Sequence, residues 1–430
     1  MSQPRHFQNN LERTEKLSGQ EPVVTVLPSL TQALKVLQKA VATGEGLRGP
    51  SVYTGLPGIA FVYLHVHQVL LRNAALAKQL GHQDPIWAEG AAGFLEAAAA
   101  ILEATAPVAC SLHSRHPRMT FLEGYPGVIA LQAVCYHHRG KQREALQAAQ
   151  VLETMASSVT ECPEGECEVL YGRAGYLYAL CFVQKHLGSE AISSAILETI
   201  CLQILQEGAA NVDMDASLRS WGLMYQWHYK QYLGGCHGIA GILYTLLLSG
   251  SALERVITAG DYRTRLQAAA SSLLDACFPS GNLPPSLGGR QDTLVQWCHG
   301  APGLTQLLAE MCQSRWQPLF GDELQARARA TAERAGNTIW ERGLLTKGLG
   351  LCHGISGNAY ALSAAARAGD DQQMHHSALQ FGLFMAEHWE KLYPLPDHPS
   401  SLFEGLGGAV CFWMDILDDI NQAHFPGFEL

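Results

Sequence analysis

The sequence predicts an all-α fold, a seven-hairpin α/α toroid in which fourteen helices form a double-layered barrel. Three observations lead there. A Gly-x-x-Gly pair opening an apolar run occurs seven times, at Gly55/Gly58, Gly124/Gly127, Gly172/Gly175, Gly238/Gly241, Gly300/Gly303, Gly354/Gly357 and Gly405/Gly408. Each pair follows a segment with apolar residues at helical spacing, so the repeat is a couplet of one amphipathic and one apolar helix. The last apolar helix, Ala409 to Ile420, is as apolar as the middle ones. Neither end therefore offers the polar cap that an open stack of repeats requires, and the stack is expected to close.

In chain order, Met1 to about Gln20 is polar without a period, and residues 1–28 are read as an N-terminal arm. Residues 29–430 are read as a single domain. Leu30, Ala33, Leu34, Val36, Leu37, Ala40 and Val41 make the first amphipathic helix, Ser29 to about Thr43. The later amphipathic members are expected over Ala88 to Ala104, Lys141 to Val159, Ser189 to Ala209, Arg263 to Phe278, Glu323 to Arg342 and Asp371 to Glu390. The helices after each glycine pair form the inner layer, with every turn at one end of the ring. The glycines permit close backbone approach, and some are expected at positive φ. Pro57, Pro126 and Pro302 suit a first helical turn.

Composition narrows the function classes. Apolar residues are 47% and charged residues 16% of 430, enough for a large core with little left for solvated tails. A formal charge of -10 without clustered Lys or Arg argues against nucleic-acid binding. No apolar run is read as a membrane span; the longest, after Gly58, is broken by His65, His67 and Gln68. The start is polar, without an apolar signal segment, and Ser2 excludes N-myristoylation. The 12 cysteines are expected as reduced thiols in the cytosol, with peripheral attachment to a membrane as a second location.

The chemistry concentrates in three turns, Cys236-His237-Gly238, Cys298-His299-Gly300 and Cys352-His353-Gly354. Two thiolates and one imidazole give a neutral zinc site with one open position, the pattern of a catalytic zinc. Spacing does not say which three of the six side chains bind. Cys110, Cys135, Cys181, Cys201, Cys277, Cys312 and Cys411 are read as buried small hydrophobes. Cys162 and Cys167, a Cys-x4-Cys in an acidic loop, are assigned no metal.

These turns, with Leu170 to Tyr176, Phe278 to Asn282, Ser401 to Gly405 and the Phe425-Pro426 ending, resemble the eukaryotic LanC-like (lanthionine synthetase C-like) proteins over nearly the whole chain. The resemblance implies an α/α toroid, with Cys298, Cys352 and His353 as zinc ligands and His237 as the acid/base. Cys236 falls where relatives commonly carry a small residue and is read as a spare thiol. Glu168 falls where bacterial cyclases carry an aspartate and is expected to orient or charge-tune the site. Lys347 and Arg5 fall where eukaryotic relatives hold the carboxylates of glutathione. A third such position is Pro394 here, for which Arg173 or His398 would compensate. Leu294 replaces a basic residue of the bacterial cyclases, which weakens a peptide-cyclase reading.

The implied reaction adds glutathione to dehydroalanine or dehydrobutyrine in proteins, a Michael addition giving a thioether. A free thiol of pKa about 8.5 is about 3% ionised at pH 7, so full ionisation on zinc gains at most about 30-fold, roughly 2 kcal/mol. Positioning and proton delivery must supply much of the rest. Rival readings are a glutathione-binding scaffold with kinase or other signalling partners, a peptide thioether cyclase and, by fold analogy, a zinc prenyltransferase or a carboxylate glycoside hydrolase.

Overall fold

Backbone crowding accounts for the glycine pairs that open the inner helices. A Cβ on Gly127 would lie 1.8 Å from the Phe121 carbonyl oxygen, and one on Gly357 1.9 Å from that of Leu351. Close approach, more than positive φ, selects glycine here: among the first glycines of the seven pairs only Gly300 is left-handed, at φ 123°. The computed structural model describes residues 4–13, 21–83, 89–115, 118–161 and 166–430. Among these residues there are seventeen α-helices and no strands, only isolated bridges.

The helices are α1 (Glu21–Thr43), α2 (Leu56–Arg72), α3 (Ala74–Gln83), α4 (Gly90–Arg115), α5 (Tyr125–His138), α6 (Gln142–Thr154), α7 (Ala156–Thr160), α8 (Arg173–Leu187) and α9 (Ser194–Met214). They continue with α10 (Ile239–Leu248), α11 (Ser251–Ala259), α12 (Tyr262–Asp275), α13 (Pro302–Met311), α14 (Gln317–Arg342), α15 (Ile355–Gly369), α16 (Gln372–Leu392) and α17 (Leu406–Asp418). The inner layer is α2, α5, α8, α10, α13, α15 and α17, one after each glycine pair. Inner α10 is buried at every position from Ile239 to Leu247, whereas outer α6 buries only Ala145, Ala149 and Leu152. That contrast is the driving force for two layers, at about 1.5–3 kcal/mol per fully buried large apolar side chain.

The ring closes. α17 packs against α2 and α1, and α1 also packs against α16. At the turn end the seven repeats are stitched by backbone hydrogen bonds: Tyr53 N–H to Leu122 O (2.9 Å), Phe121 to Gly175 (3.1 Å), Val169 to Cys236 (3.1 Å), Gly235 to Trp297 (3.2 Å), Cys298 to Cys352 (3.3 Å), Cys352 to Phe403 (2.8 Å) and Phe403 back to Tyr53 (3.1 Å). The C-terminal segment fills the lumen behind them. Phe425 and Phe428 are fully buried, with Phe428 against Trp297 and Tyr244 at ring separations of 5.1 and 4.7 Å.

Three details differ from the sequence reading. α1 begins at Glu21, eight residues earlier than expected, because Val26 and Leu27 extend its buried face. Pro28 inside it leaves the Val24 carbonyl without its helical donor, but Val24 is 71% exposed and water can serve it. Short α3 and α11 are additions to the fourteen expected helices, and the expected Lys141 to Val159 member is divided into α6 and α7. The run after Gly58 is not the longest apolar stretch either: Gly90–His113 in α4, 24 residues with an 18-residue window of mean hydropathy 1.4, has the length and composition of a membrane span, yet packs on α2 and α5 in the ring.

Candidate metal and thiol site

The ring puts the turns in register. The residue two before the first glycine is Tyr53, Leu122, Leu170, Cys236, Cys298, Cys352 and Phe403 in turn, and the residue one before it is Thr54, Glu123, Tyr171, His237, His299, His353 and Glu404. The first set belongs to the buried belt and the second forms a more polar set at the same end. Three of the seven turns therefore carry a thiol and an imidazole, and four carry aromatic, aliphatic, hydroxyl or carboxylate side chains.

Among the described residues two groups could hold a metal ion. The ligand atoms of Cys298, Cys352 and His353 lie within 4.8 Å of one another, as do those of Glu168, Cys236 and His237. In the first group the Cys352 S–H donates to Cys298 and His353 adds its own hydrogen bond, holding Cys298 well below the usual thiol range; the same bond pushes Cys352 up. Gln296 Nε2–H donates to Cys298 Sγ at 3.0 Å, and the Tyr53 hydroxyl lies against Cys352. The residues fit zinc by donor chemistry, two thiols and one imidazole brought together from adjacent turns.

His237 is fixed from several directions. Its ring stacks on Trp227 at 4.0 Å and 4° between planes, and Nδ1 is 2.8 Å from Glu168 Oε2. Glu168 is 2% exposed and also accepts the backbone N–H groups of Leu170 (2.8 Å) and Tyr171. Glu168 accepts from all three groups, so the proton on the facing His237 nitrogen is that of Nδ1, and in the neutral ring Nε2 is the one left without a proton. That nitrogen faces Cys236 Sγ at 3.5 Å. Trp227 comes from a tight turn closed by two hydrogen bonds with Lys230, in which His228 and Tyr229 are both left-handed. Such residues cost about 1–3 kcal/mol each, and here the strain delivers the ring that stacks on His237.

Two cavities are lined by residues that contact the thiol pair, Gln296 in one and Tyr53 in the other. One, about 600 Å³, is lined by Arg5, Lys347, Leu294, Thr346 and Gln296. The arm makes its wall: Thr346 N–H donates to Arg5 O (3.0 Å) and Phe7 N–H to Leu344 O (2.8 Å), which brings Arg5 beside Lys347 across 342 positions of sequence. The other, about 520 Å³, is lined by Tyr53, Tyr171, Arg48, Arg118, Glu123, His398 and Glu404, among others. Arg118 lies over the Tyr171 ring at 4.9 Å and pairs with Glu123 at 2.6 Å.

The structure thus groups Cys298, Cys352 and His353, pairs His237 with Glu168, and places Arg5 and Lys347 on one cavity. Two expected contributors stand elsewhere. Arg173 is 6% exposed and paired with Glu207 at 2.9 Å, so its guanidinium is committed to the wall, not to a ligand. His398 bonds Glu404 at 2.6 Å in the second cavity. Cys162 lies outside the described residues, and Cys167 is buried beside Arg173. Sequence reasoning missed Tyr53, Tyr171, Gln296 and Trp227. The first two occupy the register positions of the Cys and His and could have been found by stacking the seven turns; Trp227 gives no such signal.

Comparison with known proteins agrees in extent. The profile of the lanthionine synthetase C-like protein family matches residues 46–430. Glutathione S-transferase LANCL1 of Danio rerio is 32% identical over 413 residues, covering 94% of this chain and 91% of the relative. LanC-like protein GCL1 of Arabidopsis thaliana is 33% identical over 405 residues, covering 91% and 84%. Among solved structures, nisin cyclase matches with a TM-score of 0.56 at 16% identity, covering 94% of this chain and 95% of its own, a likeness of fold.

Proposed function

Because the chain belongs to the lanthionine synthetase C-like family, we propose that it is a thiol transferase that adds glutathione to dehydroalanine and dehydrobutyrine residues of proteins. The observation that carries this reading is the Glu168-oriented His237 next to the Cys298, Cys352 and His353 donor set on adjoining turns of one ring. The name of the Danio rerio relative supports glutathione as the thiol. Leu294, an apolar residue in the wall of the Arg5 and Lys347 cavity, gives the peptide-cyclase alternative no added support.

Cys298, Cys352 and His353 would hold zinc, which there supplies a Lewis acid that keeps the glutathione sulfur deprotonated. Arg5 and Lys347 offer charges to the two glutathione carboxylates. Nε2 of His237, bare in the neutral ring, takes the proton that the thiol gives up. As the sulfur bonds to the β-carbon, the alkene electron pair moves into an enolate, and His237 returns that proton to the α-carbon. Glu168 stabilises the imidazolium in between and fixes the ring plane with Trp227. The cavity lined by Tyr53, Tyr171 and Arg118 takes the acceptor segment. Reduced glutathione and reduced ligand thiols are conditions of the cytosol, the location we propose.

The test is a purified, zinc-supplemented protein with glutathione and a dehydroalanine peptide, read by mass spectrometry. A peptide heavier by one glutathione is expected, formed faster than in buffer. No enzyme-dependent product, with glutathione binding intact, would reject turnover and leave a glutathione-binding scaffold.

A further inference from the structure

Cys236 is the one turn cysteine that the donor set of Cys298, Cys352 and His353 does not use. We propose that Cys236 and His237 form a second, weaker site for a thiophilic divalent cation, with Glu168 as its outer support. Three observations carry it. The separation of Cys236 Sγ and His237 Nε2 is 3.5 Å. Bond lengths of about 2.3 Å to sulfur and about 2.0 Å to nitrogen at a tetrahedral angle give an edge of about 3.5 Å, so the two atoms already stand at ligand spacing. Glu168 takes the Nδ1–H of His237 at 2.8 Å, which leaves the lone pair of Nε2 toward Cys236, the tautomer and the carboxylate partner that ligating histidines have. Finally, stacking on Trp227 at 4.0 Å fixes the nitrogen in place before any metal arrives.

Glu168 is occupied by two backbone N–H groups and the imidazole, so only two protein atoms ligate and solvent or substrate completes the shell. Two ligands against three make this the looser site. A thiolate and an imidazole favour Zn²⁺, Co²⁺ or Cd²⁺ over Mg²⁺ or Ca²⁺. Binding displaces the Cys236 S–H proton to solvent and occupies Nε2. On the functional reading above, that nitrogen carries the reaction's proton, so the second ion inhibits. A free-metal concentration roughly tenfold above its dissociation constant leaves about a tenth of His237 available.

The experiment titrates metal-free full-length protein with Co²⁺ alone, following thiolate-to-cobalt charge-transfer absorption and calorimetric stoichiometry. Wild type should bind two equivalents in two resolved steps, Cys236→Ser only the tighter and the Cys298→Ala/Cys352→Ala double variant only the weaker. A single step in wild type that Cys236→Ser preserves, or two steps surviving in Cys236→Ser, overturns the proposal. A weaker step lost in Cys236→Ser and a tight step that survives in the double variant would reject the first site while sustaining the second. Circular dichroism of each variant separates misfolding from loss of a ligand.

Discussion

The turn that carries Cys352 and the turn that carries Leu122 have the same glycine pair and the same place in the hydrogen-bonded ring, but only one carries metal donors. Turns four to six form an arc of cysteine and histidine. Turns seven and one to three form an arc of Phe403, Tyr53, Leu122 and Leu170, with Glu404, Thr54, Glu123 and Tyr171 beside them. The two arcs teach that the backbone of the turn makes the ring and the side chains at two positions make the chemistry. Stability and function should therefore separate when one or the other is changed.

The sharpest break in the comparison is a glycine substitution, which should affect either arc alike. Gly357→Ala puts a methyl 1.9 Å from the Leu351 carbonyl oxygen and Gly127→Ala one 1.8 Å from that of Phe121. Both should cost about 4 kcal/mol or more, or prevent folding, as read by denaturant unfolding. Cys352→Ala, in contrast, keeps its backbone in the ring, so circular dichroism should stay native while bound zinc and thioether product are lost together. Leu122→Ala, its counterpart in the other arc, should lose about 2–5 kcal/mol of stability and keep its zinc.

The arcs meet where Glu168 of turn three holds His237 of turn four. His237→Asn should lower kcat by about 10²–10⁴ with glutathione binding retained in calorimetry. Lys347→Ala should raise the KM for glutathione by about fivefold with kcat unchanged, the modest value of an exposed charge contact.

An effect independent of the turns lies at the far end of the same inner helices. His138 of α5 and His186 of α8 are pushed down to about 4, each first by burial and then by neighbouring positive groups. Unfolded, they titrate near the ordinary value of 6.5, so between pH 6.5 and 4 the unfolded chain binds more protons and stability falls as pH falls. The melting temperature should drop from pH 7 to pH 5, and His138→Gln should flatten that slope.

What the sequence disclosed was what repeats. Seven glycine pairs and three Cys-His pairs are residue types with few other uses at such positions, and they located the ring, the inner helices and the donor turns. Contacts created by closure carried no such mark. The Tyr53 hydroxyl reaches Cys352 only because turn seven hands the chain back to turn one. Glu168 was singled out through family resemblance, and its hold on His237 spans 69 positions. Arg173 shows the converse, a cation read as compensating for Pro394 but whose burial required Glu207. The arm was unreadable because residues such as Phe7 acquire their order from Leu344, a partner at the other end of the sequence.

The hydrogen bond from Phe403 to Tyr53 also has a consequence for synthesis. A chain leaving the ribosome can assemble its early repeats on one another, but the first lacks its neighbour until the seventh has been made. The last joint spans 350 positions, and Phe425 and Phe428 can enter the lumen only after that. Until then the nascent chain is an open-ended stack whose apolar inner helices face water, a state prone to aggregate or to engage chaperones. Truncation before turn seven should therefore leave every earlier helix sequence intact and still yield a chain that does not mature.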